Sequence, residues 1–291
     1  MKKRILFLLV LIPIIVSSQS VSEKVLKEYE DTLSSIAHTM MHGKTEQIRT
    51  EANKGFISEL LEVLQYSNSY FFPFDSLKTI SRLQPEDNSF RLFNWILKKD
   101  NGTYQYFAYI VLPPSKNENR IIKLKETEKH LLDFKKSILH HTDWYGALYY
   151  KIISPKKNNK HYTLLAWDGN NTKSIIKIID ILEIKDDGIW FGKDLFLKDG
   201  NTTKRIVVEY NSNTSVSVNY DKEKNRIILD HLVPLKEGQE EYKAFYVPDG
   251  SYDCYQYKNG KWIFKEDIDA RTSTITPRIS KEKQDKGLFK K

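Results

Sequence analysis

Apolar side chains recur every three or four positions at Val25, Tyr29, Leu33, Ile36 and Met40, the period of one helix face. Ahead of that run, Ser20 and Glu23 have the S-x-x-E spacing of a capping box, in which both side chains satisfy N–H groups left open by the first turn. The helix is expected to stop at Gly43, because glycine takes the left-handed C-terminal conformation most cheaply. A second period, Ile48, Ala52, Phe56, Leu60 and Val63, follows at once and predicts a helical hairpin. Pro73 and Asp75 then predict a short third helix ending near Leu83, since Asp is a preferred N-cap.

From Phe90 the texture changes. "FRLFNWIL" and "TYQYFAYIVL" flank "DNG", a strong local hairpin signal. Asn101-Gly102, Asp168-Gly169, Asp187-Gly188, Asp199-Gly200, Asp249-Gly250 and Asn259-Gly260 use six of the twelve glycines, all between Phe90 and Ile268, and imply antiparallel strands joined in sequence. Strict alternation puts Ile206, Val208 and Tyr210 on one face, and Val216, Val218 and Tyr220 on another. "KSIIKIIDILEI" has a period open to helix, but its isoleucines favour a long strand, because β-branched side chains suit a pleated surface. One helix is expected to interrupt the strands, on the stripe Leu131, Phe134 and Ile138. These segments share turns rather than side-chain patterns, which argues for a sandwich or curved sheet over a propeller. The expected fold is α+β: an N-terminal helical hairpin in residues 19–88, then a mostly antiparallel β-rich body in 89–270 with that one inserted helix.

The ends add an address. In "MKKRILFLLVLIPIIVSSQS", Lys2, Lys3 and Arg4 precede an apolar run from Ile5 to Val16 and then small residues, the pattern of an export signal over residues 1–18. That run falls short of the roughly twenty apolar residues of a spanning helix, and no later segment approaches it, so no integral membrane segment is expected after cleavage. No cysteine follows the run to take a lipid. The reading is therefore an exported protein, periplasmic or secreted, without a lipid anchor.

The formal charge of +8 invites a nucleic-acid reading, but the signal holds three basic residues and the tail at 271–291 seven against two acids. The body between them carries thirty-six of each sign and is formally neutral. Only nine residues are Arg, whose planar fork suits phosphate recognition, so nucleic acid is set aside and the tail reads as a flexible basic end. The single cysteine, Cys254, excludes an intramolecular disulfide. A core must hold the fold, and seventeen Tyr, fourteen Phe and five Trp are enough to fill one.

Several clusters invite chemistry. His38 and His42 in "HTMMHGKT" share a helix face, but zinc wants at least three protein ligands. The Gly-Lys-Thr there lacks both the upstream glycine and the strand of a phosphate loop. Histidines near a helix C-terminus are favoured by its dipole without any ligand. In "HHTDW", His140, His141 and Asp143 are read as a helix end and a turn. Asp230 and His231 are strand neighbours and point to opposite faces, so His231 reads as a hydrogen-bonded core histidine. Cys254 reads as buried and inert, because free cysteine is among the most buried residue types. No metal and no cofactor is implied. The remaining candidate is a ligand groove built from Trp144, Tyr145, Trp167, Asp168, Asp249 and Tyr252, aromatic faces with carboxylates that suit a sugar or a peptide.

With "VSSQS" closing the signal, a Lys- and Tyr-heavy body and the segments "LLAWDGNN", "IILDHLVP" and "VPDGSYD", the chain resembles uncharacterised exported proteins of Bacteroidetes-type bacteria, a group with no activity to carry over to particular residues. The expectation is a non-enzymatic protein of the cell envelope that binds a partner protein or a glycan. The alternative is an envelope hydrolase acting on glycan or peptide through paired carboxylates.

Overall fold

The computed structural model describes residues 20–116, 118–127, 134–154 and 161–269. The expected export signal and basic tail, and Leu131 of the expected inserted helix, lie outside them.

Two helices open the fold, α1 (Glu23–His42) and α2 (Glu46–Val63). The N-cap of α1 is Ser22, whose side chain accepts from Val25 N, rather than the expected Ser20. Gly43 does end the helix, although for a different reason from the expected one. Its φ is −56°, open to any residue, but a Cβ there would sit 2.8 Å from both Ile48 Cγ2 and Thr39 O. Glycine is needed for close approach. The Gly43 carbonyl accepts Arg49 Nη1, while Arg49 also reaches Lys98 O and the Asp100 carboxylate. The buried stripe of α2 is accordingly Arg49, Asn53, Phe56, Leu60 and Val63, and Ile48 is exposed.

Three sheets follow. The first has the order β1 (Ser81–Leu83), β2 (Arg91–Lys98), β3 (Tyr104–Ser115) and β4 (Glu118–Leu124). The second has the order β5 (Leu139–His140), β9 (Gly188–Phe191), β8 (Ser174–Lys185), β7 (His161–Asp168) and β6 (Leu148–Ile153). In it, β12 (Ile206–Asn211) pairs antiparallel with the N-terminal half of β8. The third has the order β11 (Asn201–Thr203), β10 (Phe196–Lys198), β16 (Lys261–Lys265), β15 (Tyr246–Lys258), β14 (Arg226–Pro234) and β13 (Val218–Asp221). The pairing of β10 with β16 is parallel and the other ladders are antiparallel.

Helices and sheets form four layers with a core in each gap. Phe93, Trp95, Tyr109 and Val111 face the helices, with Trp95 Nε1 donating to the buried Asn53 side chain at 2.7 Å. Leu92, Ala108 and Ile110 face the second sheet, meeting Leu164, Ala166 and Ile178. On the other side of that sheet, Leu165, Ile179 and Ile181 meet Ile227, Tyr255 and Trp262 of the third. The second sheet is thus buried on both faces, which explains why "KSIIKIIDILEI" is nearly continuously apolar and forms the expected strand β8. Asn94, fully buried, stitches the first two sheets: its Nδ2 donates to Phe107 O and Ala147 O, and its Oδ1 accepts Tyr149 N at 2.6 Å.

Three expectations about elements change. The stretch from Pro73 to Leu83 is turns followed by β1, because Ser81–Leu83 pair with Asn94–Leu92 of β2; just ahead of it the Arg91 guanidinium gathers the Ser69, Tyr70 and Phe72 carbonyls through Nη1 and that of Pro73 through Nη2. The described part of the expected inserted helix is a turn at Phe134–Lys136 leading into β5. There Arg205 Nη1 donates to Phe134 O and Ser137 O, and its Nε to the buried Asp180 carboxylate at 3.0 Å. Third, Asp249-Gly250 lies inside β15 rather than between strands. The register places Asp230 opposite Tyr252 and Leu232 opposite Pro248, so Asp249, Gly250 and Ser251 bulge opposite His231.

Candidate functional site

The six residues expected to form a ligand groove fall into two separate groups. Trp144 is fully buried and donates from Nε1 to Tyr149 OH at 2.8 Å. Asp168 is fully buried too, accepting Tyr106 OH and Tyr145 OH at 2.7 Å each and Asn170 N at 2.8 Å. Burial first, and then the adjacent carboxylate, push both phenols far above the ordinary tyrosine value. Tyr145 stacks under Phe134, and Trp167 packs edge-to-face on Tyr104. These four side chains are core at one end of the second sheet. Asp249 and Tyr252 are exposed on the bulged part of β15 in the third sheet.

The other clusters are also placed. His38 and His42 stand exposed with ring centroids 4.6 Å apart, and among the described residues no group of three potential metal ligands includes them. His140 contacts Thr142 Oγ1 at 2.9 Å, and His141 accepts Ile189 N. Cys254 is buried, and burial raises its thiol pKa above the ordinary value.

One opening lies where the second and third sheets diverge, a groove of about 320 Å³, near the lower end of the about 300–1,000 Å³ usual for ligand sites. Leu229, Tyr255 and Phe264 of the third sheet form an apolar floor, and β12 forms the facing wall with four consecutive residues, Ile206 to Glu209. Lys135, Lys198, Lys243 and Glu266 stand around it, with Tyr246 among them. Alternation along β14 and β15 produces this lining. Ile227 and Leu229 face the core, and the next residue in phase is His231, while Tyr255 is followed in phase by Asp253.

His231 is therefore not a core histidine. It is half-buried at the mouth of the groove, with Nδ1 2.9 Å from Asp253 Oδ2. Asp253 is buried, and its other oxygen accepts Asp267 N at 3.3 Å. The hydrogen bond to Asp253 raises the His231 pKa above its ordinary value; partial burial opposes this, and the charges of Asp253, Asp249 and Glu266 add to it. With Nδ1 engaged, Nε2 is the ring atom left to meet a ligand. Such a pair can donate a hydrogen bond to a carboxylate or hydroxyl, or hold a water as a base does. The thiol of Cys254 cannot join it, because a strand neighbour of Asp253 points to the opposite face.

Sequence reasoning missed this groove because the signal for it is not local. His231 and Asp253 are brought together by the β14–β15 register, which the bulge sets, and the Asp-Gly step that marks the bulge looks like a hairpin turn. The wall strand was legible in part, since Ile206 and Val208 were placed together on one face. No protein-family model matches the chain, and no curated protein or solved structure matches it at a significant level.

Proposed function

We propose that this is an exported protein of the cell envelope that binds a partner protein or glycan, without turning it over, in the groove between β12 and the β14–β16 ribbon. The observation that carries the reading is the lining: an apolar, partly aromatic floor ringed by lysines, carboxylates and a His–Asp pair, the mixture that buries a ligand body while orienting its polar groups. The basic and apolar N-terminal stretch supports export, as does the resemblance to exported proteins of Bacteroidetes-type bacteria. Among the described residues no helix is long and apolar enough to cross a membrane. Peptide and glycan arrays probed with the full chain test the reading. Tyr246→Ala and Lys243→Glu, both at the groove rim, should weaken the captured ligand by roughly tenfold each without changing the melting temperature. Binding indifferent to both substitutions would place the ligand elsewhere.

The second reading, an envelope hydrolase, rests on the His231–Asp253 pair, which has the geometry to activate a water. It predicts product release from a bound peptide or glycan that His231→Ala abolishes while binding persists. Cell fractionation and N-terminal sequencing of the mature protein test the address, with a new N-terminus at Gln19 expected.

A further inference from the structure

Strand β12 has one edge on β8 and the other on the groove. Ser212 N donates to Lys173 O at 3.0 Å, in register with the pairs Tyr210–Ile175, Val208–Lys177 and Ile206–Ile179. In an antiparallel ladder bonded pairs alternate with non-bonded ones, so Ile206, Val208 and Tyr210 spend their N–H and C=O groups on β8. Those of Val207 and Glu209 point the other way, into the groove, and have no partner among the described residues. The next outward residue, Asn211, is already occupied: its carbonyl accepts Thr214 N, and its side chain donates to Ala244 O.

Protein sheets normally blunt such an edge with proline, a bulge, lysines or a covering element. β12 has none of the first three: its six-residue register is unbroken, and its one charged side chain, Glu209, is turned to Ser174 Oγ at 2.6 Å. The space beside it is walled on the far side by Leu229, Tyr255 and Phe264. The charges there are unequally satisfied. Asp253 is paired with His231, Glu266 with Lys198, and Asp230 accepts Ser217 N. Lys135 has no ion-pair partner among the described residues, and Lys243 donates to the Glu240 carbonyl. Asp230 and Glu209 accept only neutral donors, so the charges of the lining balance, and its two cations outside an ion pair among the described residues are Lys135 and Lys243.

We infer that the groove takes an extended segment of a partner protein, which adds as a strand to the free edge of β12 at Val207 and Glu209. Its apolar side chains lie on the Leu229–Tyr255–Phe264 floor, and its carboxylates lie near Lys135 and Lys243. Backbone pairing supplies affinity and the alternate side chains supply selection, as in other strand-addition complexes. This inference rests on the binding role proposed above and narrows it to one ligand class.

The test uses the full chain and a library of capped heptapeptides with Val, Ile or Phe at alternate positions, Ser or Thr between them and Glu at both ends, read by fluorescence anisotropy. The best binder is then N-methylated one amide at a time. Methylation of the amides facing β12 should weaken binding at least about tenfold, and methylation of the alternate amides should leave it unchanged. Val207→Pro removes an outward N–H and no ladder bond, a position where proline is tolerated; it should keep the melting temperature and lose the peptide. A methylation profile with no alternation, or undiminished binding by Val207→Pro, overturns strand addition. If ligands bind and respond to Tyr246→Ala but show neither signature, the groove reading survives and this one falls. If no peptide and no glycan binds, both fall. Concentration-dependent dimerisation that Val207→Pro abolishes, without peptide binding, overturns it in favour of a second copy of this chain.

Discussion

Replacing Asp168 by alanine should unfold the protein more readily without touching the ligand groove. The carboxylate accepts two phenol hydroxyls and one backbone N–H at 2.7–2.8 Å in a site with no solvent exposure. Hydrogen bonds to a charged group contribute about 1.5–3 kcal/mol each. Deleting the carboxylate also relieves its own desolvation, which costs several kcal/mol for a buried ion. The net loss is then about 2–5 kcal/mol, and for a chain of this size that lowers the melting temperature by roughly 5–15 °C. Tyr145→Phe removes one of these bonds and should cost about 1–2 kcal/mol. Tyr106→Phe should cost somewhat more, because Tyr106 OH also accepts Gly169 N at 2.8 Å. Combined with Asp168→Ala, Tyr145→Phe should add little, since its hydroxyl has already lost its acceptor and contacting residues are not additive. Thermal and urea unfolding of the two single variants and the double variant measure the cycle. An Asp168→Ala protein that melts with the wild type, or that keeps its stability and loses ligand, would refute the structural role assigned to this cluster.

Asn94→Leu leaves Tyr149 N and the Ala147 carbonyl buried without this partner, and urea unfolding should show a loss of about 2–5 kcal/mol; a change under about 0.5 kcal/mol would contradict the stitch between sheets. Gly43→Ala should cost about 1–3 kcal/mol by overpacking against Ile48 and Thr39, with far-UV helix content unchanged, and a neutral effect would contradict the close-approach argument. His231 carries a raised pKa in the folded state. Its pairing therefore stabilises fully below the unfolded value of 6.5 and fades as pH rises through the folded one. Wild-type melting temperature should fall from pH 6 to pH 8.5 more than that of His231→Gln; equal falls would remove the His231–Asp253 pair from the account.

Local chemistry was readable wherever a local rule governs. The helical hairpin, the strand β8 and the reversals at Asn101-Gly102, Asp168-Gly169, Asp187-Gly188, Asp199-Gly200 and Asn259-Gly260 all follow from spacing and turn propensity. What failed depends on partners distant in sequence. The Pro73–Leu83 stretch has a helix N-cap, yet its end, Ser81–Leu83, is claimed by the ladder with Asn94–Leu92 of β2. Phe134 and Ile138 share a helical period, but Arg205, some seventy residues on, fixes the backbone between them. Asp249-Gly250 has the composition of a turn, and only the pairing of β14 with β15 makes it a bulge. The same limit applies to the site. Trp144, Tyr145, Trp167 and Asp168 do converge, but in the core, and no single-chain pattern distinguishes an aromatic cluster that is buried from one that lines a groove.

The groove and its open edge follow from how the second sheet is used. β8 is twelve residues long; β9 pairs with its C-terminal end and β12 with its N-terminal half, so β12 is an edge over that half. Its side chains serve two cores at once, with Val207 packed between the first and second sheets, and Ile206 and Val208 packed between the second and third. A lysine at Val207, or an inserted residue to make a bulge, would protect the edge only by putting charge or a register shift into one of those cores. The strand therefore has little freedom to defend itself with side chains; the Lys243–Phe245 turn lies beside it and holds Asn211 through the Ala244 carbonyl, and the defence at Val207 and Glu209 falls to the proposed occupant. This is why a backbone change is the discriminating one: proline at position 207 stays apolar and keeps every bond to β8, yet takes away the outward N–H. If occupancy comes through side chains alone, that substitution should pass unnoticed; if it comes through the edge, no side-chain substitution in the groove should match its effect.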